Sequence, residues 1–240
     1  MLADKAAPIL PTGALASDLH LPGASRLKLL DFIAQALPRW RDDPERPRDA
    51  TSETHLSEHL CDYLTGQARF TKGFDCFQFR TETSDEGKRG RKIDLAVKSC
   101  GVALWIEGKR HTQYEAIMPI ECKRLPTPKA ADRDEREYVI VGDKSTGGIQ
   151  RFKFGDHGST HKVAAMIAYI QEYNGVHWNQ KIETWIQDLM TLPGSQWTQA
   201  DLLQATELDS ANKTSRLLSS HARGTGKDPI ELHHLWVQMN

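Results

Sequence analysis

The segment PIECKR, residues 119–124, follows an apolar stretch and decides how the rest of the chain is interpreted. Because side chains alternate between the two faces of a strand, Glu121 and Lys123 are predicted to share one open face, whereas Ile120 and Cys122 point into the core. A carboxylate placed in this way can bind a hard cation such as Mg²⁺. The neighbouring ammonium can hold a water molecule or stabilise negative charge that develops beside it.

Two more acids precede this segment. Asp94 starts an apolar strand predicted over residues 93–97, and Glu53 lies on the apolar stripe of a helix predicted from residue 51 or 52 to about residue 64. An acid on the inner face of a helix is costly unless it has a partner, although in the first turn it can interact favourably with the helix dipole. Two carboxylates and a phosphate oxygen are what a metal ion that cleaves phosphodiesters usually requires.

The order of helix acid, aspartate and E-x-K resembles the PD-(D/E)xK (restriction-endonuclease-like) nuclease superfamily. The likeness covers roughly residues 50–240. Within that range the chain is similar to an uncharacterised bacterial family through the segments ECKRL at 121–125, GIQRF at 148–152, SHAR at 220–223 and IELHHL at 230–235.

The resemblance implies an α/β fold, in which a mixed central sheet is flanked by helices, and a metal-dependent hydrolysis of phosphodiester bonds. Asp94, Glu121 and Glu53 would bind Mg²⁺ (or Mn²⁺), and Lys123 would position or activate the attacking water. DNA is the expected substrate, and defence of a bacterium against foreign DNA is the expected setting. A partner protein of a defence system and a homodimer are further expectations. A catalytically inactive, nucleic-acid-binding subunit of a larger complex remains the alternative.

The chain departs from the pattern of the superfamily at two points. Ile93 stands where the motif has its proline, and the gap from Asp94 to Glu121 is long. A rival E-x-K, formed by Glu107 and Lys109, follows an apolar strand closer to Asp94. We favour Glu121 because the downstream segments follow its strand, and because the glycine between the rival pair suits a hairpin turn.

Basic and polar residues near these acids are candidates for contacts with nucleic acid. A basic cluster immediately before Asp94 could contact a phosphate backbone, with a solvated loop as the alternative. Two residues open a helix after a pair of glycines, where a phosphate could be held, with a capped surface helix as the alternative. The nucleic-acid-binding candidates are Lys88, Arg89, Arg91, Lys92, Arg124, Gln150 and Arg151.

A second motif points to another class of enzyme. His55, Glu58 and His59 match H-x-x-E-H, a pattern of zinc metallopeptidases, and two histidines four residues apart on a helix could chelate zinc. A third ligand would have to come from His157, His161 or a downstream acid, and no such acid lies in a recognisable context. Such short patterns also arise by chance on amphipathic helices.

Composition sets the outer limits of the interpretation. The length of 240 residues fits one domain with an appendage, here an N-terminal arm and helix over 1–48 and a nuclease domain over 49–240. The net charge of -1 neither indicates nor excludes binding of nucleic acid. The four cysteines show no C-x-x-C spacing, which argues against a zinc ribbon. Neither a secretory signal nor an apolar run of membrane-spanning length occurs, so we expect a cytoplasmic protein without membrane contact.

Local patterns also predict where helices stop. A first helix is predicted over residues 24–37, ended by Pro38, and Gly66 is predicted to stop the second. Strands are predicted over 74–80, 93–97, 102–107, 117–122, 216–223 and 230–238, and a short helix over 149–154. Residues 163–170 fit a buried strand or a helix.

Overall fold

The computed structural model describes residues 26–49, 51–86, 90–129, 133–142, 146–224 and 226–240, and the backbone of residues 18–20. Most of the predicted N-terminal arm therefore lies outside the described residues, as do Lys88 and Arg89 from the predicted basic cluster.

Four helices and ten strands are present in the described residues. The helices are α1 (Arg26–Asp42), α2 (Glu53–Phe70), α3 (Gly148–Lys153) and α4 (Gly175–Met190), with a short 3₁₀ helix at Gln199–Asp201. The strands are β1 (Asp18–His20), β2 (Phe77–Ser84), β3 (Lys92–Ser99), β4 (Ala103–Ile106), β5 (Lys109–His111), β6 (Met118–Leu125), β7 (Val163–Ile170), β8 (Gln204–Asp209), β9 (Thr214–His221) and β10 (Ile230–Gln238).

Seven strands form one mixed sheet in the order β2-β3-β6-β7-β10-β9-β8. The central strands β6, β7 and β10 run parallel, whereas the pairs towards both edges are antiparallel. A second, three-stranded sheet has the order β1-β4-β5. The mixed sheet flanked by helices agrees with the predicted α/β class.

Both faces of the large sheet are covered. Ile120 and Cys122 point into a core shared with α1 and α2, as the alternation of the strand predicted. Met166 belongs to a second core with α3 and α4 on the opposite face. Glu121 pairs with Met166 across the parallel β6 and β7 ladder, so Glu121 lies on that second face. The ambiguous segment 163–170 is thus a strand buried on both sides.

The predicted helix stops at Pro38 and Gly66 are wrong. Helix α1 continues through Pro38 to Asp42, and the buried Trp40 lies in this extension. Helix α2 continues through Gly66 to Phe70, and its last turns bury Ala68. In both helices the burial of apolar side chains beyond the helix breaker outweighs its local cost, which is about 1 kcal/mol for a glycine and about 3 kcal/mol for a proline.

Three strands, β1, β5 and β8, were not predicted from the sequence, and β2 starts later than predicted. Strand β2 begins at Phe77, because Phe74 belongs to a turn and stacks on Phe32 of α1. Strand β8 has almost no buried side chain, so it lacks the apolar alternation that identifies a strand. None of the described helices combines the length and the hydropathy that crossing a membrane would need.

Candidate functional site

The four residues predicted to carry chemistry lie together. Strand β3 supplies Asp94, strand β6 supplies Glu121 and Lys123, and Glu53 is the first residue of α2. The ladder between β3 and β6 pairs Leu95 with Ile120, which places Asp94 beside Glu121. Helix α2 starts where it does because Ser52 caps it, its side chain accepting a hydrogen bond from the backbone amide of His55.

The ammonium of Lys123 is the point on which the carboxylates converge. Its Nζ lies 3.0 Å from Oε1 of Glu53, 3.0 Å from Oε1 of Glu121 and 3.8 Å from Oδ2 of Asp94. It also donates to the carbonyl of Cys122 at 2.8 Å. Three carboxylates around one cation create a strongly negative potential at its position.

Backbone amides of β6 hold two of these carboxylates in place. The amide of Cys122 donates to Oδ2 of Asp94 at 2.8 Å, and the amide of Arg124 donates to Oε2 of Glu53 at 3.1 Å. Even so, 31% of the Asp94 side chain and 22% of the Glu53 side chain remain exposed. These two acids can therefore meet a ligand from solvent.

Glu121 does not lie on an open face, and this corrects the prediction. Its side chain is fully buried, and Lys123 is only 4% exposed. Arg151 of α3 donates to Oε1 of Glu121 at 2.5 Å, and Nδ1 of His157 lies 3.2 Å from Oε2, without the alignment of a hydrogen bond. Helix α3 and the loop after it thus cover the face that the E-x-K pattern presents.

The electrostatics of the cluster distinguish the acids. Partial burial raises the pKa of Asp94 to about 7, and the neighbouring Glu121 carboxylate adds to the rise. Burial alone would raise the pKa of Glu121, but Lys123, His157 and Arg151 outweigh it and hold that pKa well below the ordinary value. The carboxylates likewise outweigh burial at Lys123 and raise its pKa, so Lys123 is charged.

The donor set fits a hard divalent cation. With all three carboxylates of Glu53, Asp94 and Glu121 ionised, the two cations Lys123 and Arg151 leave one negative charge uncompensated. Glu53 and Asp94 also line a small cleft of about 50 Å³ together with two further acids, Glu58 and Glu82. Carboxylate oxygens are the preferred ligands of Mg²⁺. No group of three or more histidine, cysteine, aspartate or glutamate side chains arranged to hold a metal ion is found in the described ranges. The ammonium of Lys123 lies where the three carboxylates converge.

The rival pair Glu107 and Lys109 lies elsewhere. Glu107 and Gly108 form the two-residue turn between β4 and β5, both with positive φ (51° and 77°), as the glycine predicted. The guanidinium of Arg26 pairs with the Glu107 carboxylate. The rival motif is therefore a hairpin turn of the small sheet, away from the Asp94 cluster.

The described residues predicted to contact nucleic acid each contact a different side chain or backbone group of the protein. Arg91 lies 3.8 Å from Asp156, Lys92 pairs with Glu82 at 2.5 Å, and the Arg124 guanidinium donates to Oε1 of Gln171. The Gln150 side chain accepts from the amides of Gly147 and Val141, which makes it a buried cap of α3. Gln150 therefore caps α3 and does not offer its side chain to a phosphate, which corrects the prediction. Arg151 contacts Glu121.

The residues of the zinc-peptidase pattern do not gather a third ligand in the part of the chain that the structure describes. His55 and Glu58 are exposed on α2, and His59 is half-buried. The pattern therefore remains two histidines on one helix face.

Sequence reasoning missed a second polar constellation. Ser219, His221 and Asp201 are arranged like a serine-hydrolase triad: Ser219 Oγ lies 2.7 Å from Nε2 of His221, whose Nδ1 lies 2.5 Å from Asp201. His221 and Asp201 are fully buried and Ser219 is 3% exposed, so no substrate reaches the hydroxyl. Lys153 of α3 donates to both carboxylate oxygens of Asp201, which anchors the helix that carries Arg151.

The hydrogen bonds of this network continue through the core to Trp236, and each group donates towards Asp201. Trp236 Nε1 donates to the Tyr138 hydroxyl at 2.8 Å, Tyr138 lies 2.7 Å from Nδ1 of His234, and Nε2 of His234 lies 2.7 Å from Ser219 Oγ. An indole can only donate and an ionised carboxylate can only accept. The proton positions follow: His234 carries its proton on Nε2, and His221 carries its proton on Nδ1.

His157 is a candidate from the sequence only as a third zinc ligand, and its place beside Glu121 is not predictable from any motif. A lone histidine among ten has no distinguishing pattern, and only the fold brings it to Glu121. It follows α3 in a segment whose backbone is fixed by the amide of His157 donating to the carbonyl of Arg151.

Comparison of the chain with protein-family models, with curated proteins and with solved structures found no match to any of them.

Proposed function

We propose that the protein is a metal-dependent nuclease with a restriction-endonuclease-like fold that hydrolyses phosphodiester bonds of DNA. One observation carries the proposal: carboxylates from α2, β3 and β6 converge on a lysine that follows one of them by two residues. The order in the chain, Glu53, Asp94, Glu121 and Lys123, is the order that the resemblance to the superfamily requires.

Glu53, Asp94 and Glu121 would hold Mg²⁺ or Mn²⁺. When bound, the ion supplies Lewis-acid polarisation of the phosphate and a more acidic water. The acidic cleft supports this assignment, because a phosphodiester approaching Glu53, Asp94, Glu58 and Glu82 without a cation would be repelled. The amides of Cys122 and Arg124 fix one oxygen of Asp94 and of Glu53, so the ligands are positioned before the ion arrives.

Lys123 has the second role. Its ammonium is buried and charged, and it lies in reach of every carboxylate of the cluster. A charge in that position orients the attacking water and stabilises the negative charge that develops on the phosphate. Arg151 and His157 act on Glu121, as positioning residues that keep its carboxylate ionised and pointed at Lys123.

The decisive test is cleavage of DNA by matched lysine variants. Purified protein is incubated with supercoiled plasmid, linear duplex, single-stranded DNA and RNA, in Mg²⁺, Mn²⁺ or EDTA. We expect metal-dependent cleavage that Lys123→Ala reduces by orders of magnitude and that Lys109→Ala, in the hairpin of the rival motif, leaves intact. Asp94→Asn, which keeps a side chain of the same shape, is the second inactive variant.

Two results would contradict the proposal. Cleavage that survives Asp94→Asn would remove the acid cluster from the mechanism, and loss in Lys109→Ala alone would move the site to Glu107. Calorimetric titration with Mn²⁺ gives a readout besides cleavage: wild type should bind the ion, and Asp94→Asn should not.

A catalytically inactive nucleic-acid-binding protein is the second candidate, and one observation favours it. Glu121 is fully buried and already engaged by Lys123 and Arg151, which is how a former metal ligand would be retained as a purely structural ion pair. Binding of DNA without cleavage, unchanged in Glu121→Gln and without Mn²⁺ binding, would establish this alternative.

A further inference from the structure

We infer that the cavity beside Arg124 binds an unpaired nucleotide, whose base stacks on Tyr173 and whose phosphate contacts Arg124. The inference rests on the proposed nuclease function and deepens it, because it assigns single-stranded DNA as the form of substrate held next to the acid cluster.

The cavity has a volume of about 510 Å³, within the range of sites that enclose small ligands. Its walls come from the end of β6, from the segment that follows β6, and from the start of α4. Three cations, Arg124, Lys129 and Lys181, line it against two acids, Glu135 and Glu172. The cavity is therefore less acidic than the cleft at Asp94, and it suits an anionic ligand.

Tyr173 gives this cavity an aromatic surface. Its ring stacks on His177 with a centroid distance of 4.2 Å and an interplanar angle of 18°, yet 63% of the residue is exposed. Its backbone has a φ of +63°, which is strained for a bulky residue. An aromatic ring held at such a position, supported from one side and open to solvent, has the form of a platform for a base.

Arg124 connects the cavity with the acid cluster. Its backbone amide holds Glu53, and its side chain lines the cavity, where the guanidinium donates to the neutral amide oxygen of Gln171. Because that partner is uncharged, the positive charge of Arg124 remains available to a phosphate. Lys181 is engaged differently: it pairs with Glu135 and lies 5.3 Å from the ring centroid of Trp178.

This arrangement favours an unpaired base over a duplex. A base in a double helix is stacked on both sides and presents only its edge, whereas a single-stranded base offers a face to an aromatic ring. The recognition would be tolerant of sequence, because stacking on a ring uses the face that every base has.

The test measures binding separately from cleavage. Fluorescence anisotropy in EDTA follows labelled octathymidylate, an octamer of abasic residues and a short duplex. The variant Tyr173→Asn removes the ring, and asparagine tolerates the positive φ, so the fold is retained. Tyr173→Phe keeps the ring, and Tyr114→Asn removes an aromatic residue that is 79% exposed elsewhere.

We expect wild type to bind octathymidylate more tightly than either comparison ligand. Tyr173→Asn should lower that affinity about tenfold, to the level of the abasic octamer, a loss within the range for one base–aromatic stack. Tyr173→Phe and Tyr114→Asn should bind like wild type. Equal affinity of wild type and Tyr173→Asn, or tighter binding of the duplex, overturns the inference even if the protein cleaves DNA. Binding that depends on Tyr173 in a protein that never cleaves overturns the nuclease function alone.

Discussion

The ammonium of Lys123 lies 3.0 Å from Oε1 of Glu53, a residue 70 positions earlier in the chain. This contact joins the start of α2 to β6, and the amide of Arg124 repeats the connection at the other carboxylate oxygen. The first turn of α2 is thereby tied to the strand that carries the E-x-K segment. The same charges that a nuclease would use for catalysis also hold two elements of the fold together.

Replacing Lys123 by methionine should therefore affect stability as well as activity. Lys123→Met leaves Glu53, Asp94 and Glu121 without their shared cation, and breaking a buried ion pair in this way costs about 3 kcal/mol. A divalent ion would take over the role of the ammonium. We expect Mn²⁺ to raise the melting temperature of Lys123→Met more than that of wild type, as measured by thermal unfolding at pH 8.

Lys162→Met is the matched control for this experiment, because Lys162 pairs with Asp228 on the surface at 2.9 Å. Exposed ion pairs contribute little, so its melting temperature should stay near that of wild type in EDTA and in Mn²⁺. The same response to Mn²⁺ in both lysine variants would show that the ion binds away from the cluster.

Asp94→Asn should separate function from stability. The folded-state pKa of Asp94 is about 7, above the ordinary value of 3.8, so the folded protein holds a proton there that the unfolded chain releases. Its contribution to stability is present at low pH and is lost as the pH rises through 7. At pH 8 in EDTA we expect urea unfolding to give a higher free energy of unfolding for Asp94→Asn, which nevertheless fails to bind Mn²⁺. A variant less stable than wild type at pH 8 would contradict this origin of the shift.

The sequence predicted the residues of the site better than their surroundings. Alternation alone placed Glu121 and Lys123 on one face, because it depends only on the geometry of a strand. That the face is covered by Arg151 and His157 depends on how α3 packs, and no local pattern encodes such a contact. The predicted helix ends were wrong for a related reason. Proline is a local helix breaker, but packing of side chains beyond Pro38 against residues distant in the sequence decides where α1 ends.

Gly147 tests how closely α3 must approach the preceding segment. A Cβ on Gly147 would lie 2.3 Å from the Cα of Ile140, a backbone atom that cannot move aside. The φ of Gly147 is -68°, so alanine fits its backbone and only the contact opposes it. We expect Gly147→Ala to lower the free energy of unfolding by about 3 kcal/mol and to impair any cleavage, because α3 carries Arg151.

Gly66→Ala is the opposite case and serves as the control. A Cβ on Gly66 meets nothing within 4 Å, and the residue lies inside α2. Alanine there should raise the free energy of unfolding by up to about 1 kcal/mol, since glycine is the poorer helix former. If Gly147→Ala left the free energy of unfolding unchanged or raised it, as Gly66→Ala should, the close approach at Gly147 would be disproved.

Buried, uncharged histidines should make the fold sensitive to mild acid. Burial lowers the pKa of His161 to about 4, of His221 below its ordinary value and of His234 well below it. Unfolded histidines titrate near a pKa of about 6.5, so below that pH the unfolded chain takes up protons that the folded protein refuses. Their contribution is complete above pH 6.5 and is lost as the pH falls towards the folded values.

For His161 the expected loss between pH 7.5 and pH 5.5 is about 1 kcal/mol, and His221 and His234 add to the loss in the same direction. Urea unfolding of Asp94→Asn measures it best, because the raised pKa of Asp94 acts in the opposite direction over the same range. A flat profile would mean that the rings are protonated in the folded protein, and then Ser219 could not link His221 and His234 as a one-way chain of hydrogen bonds.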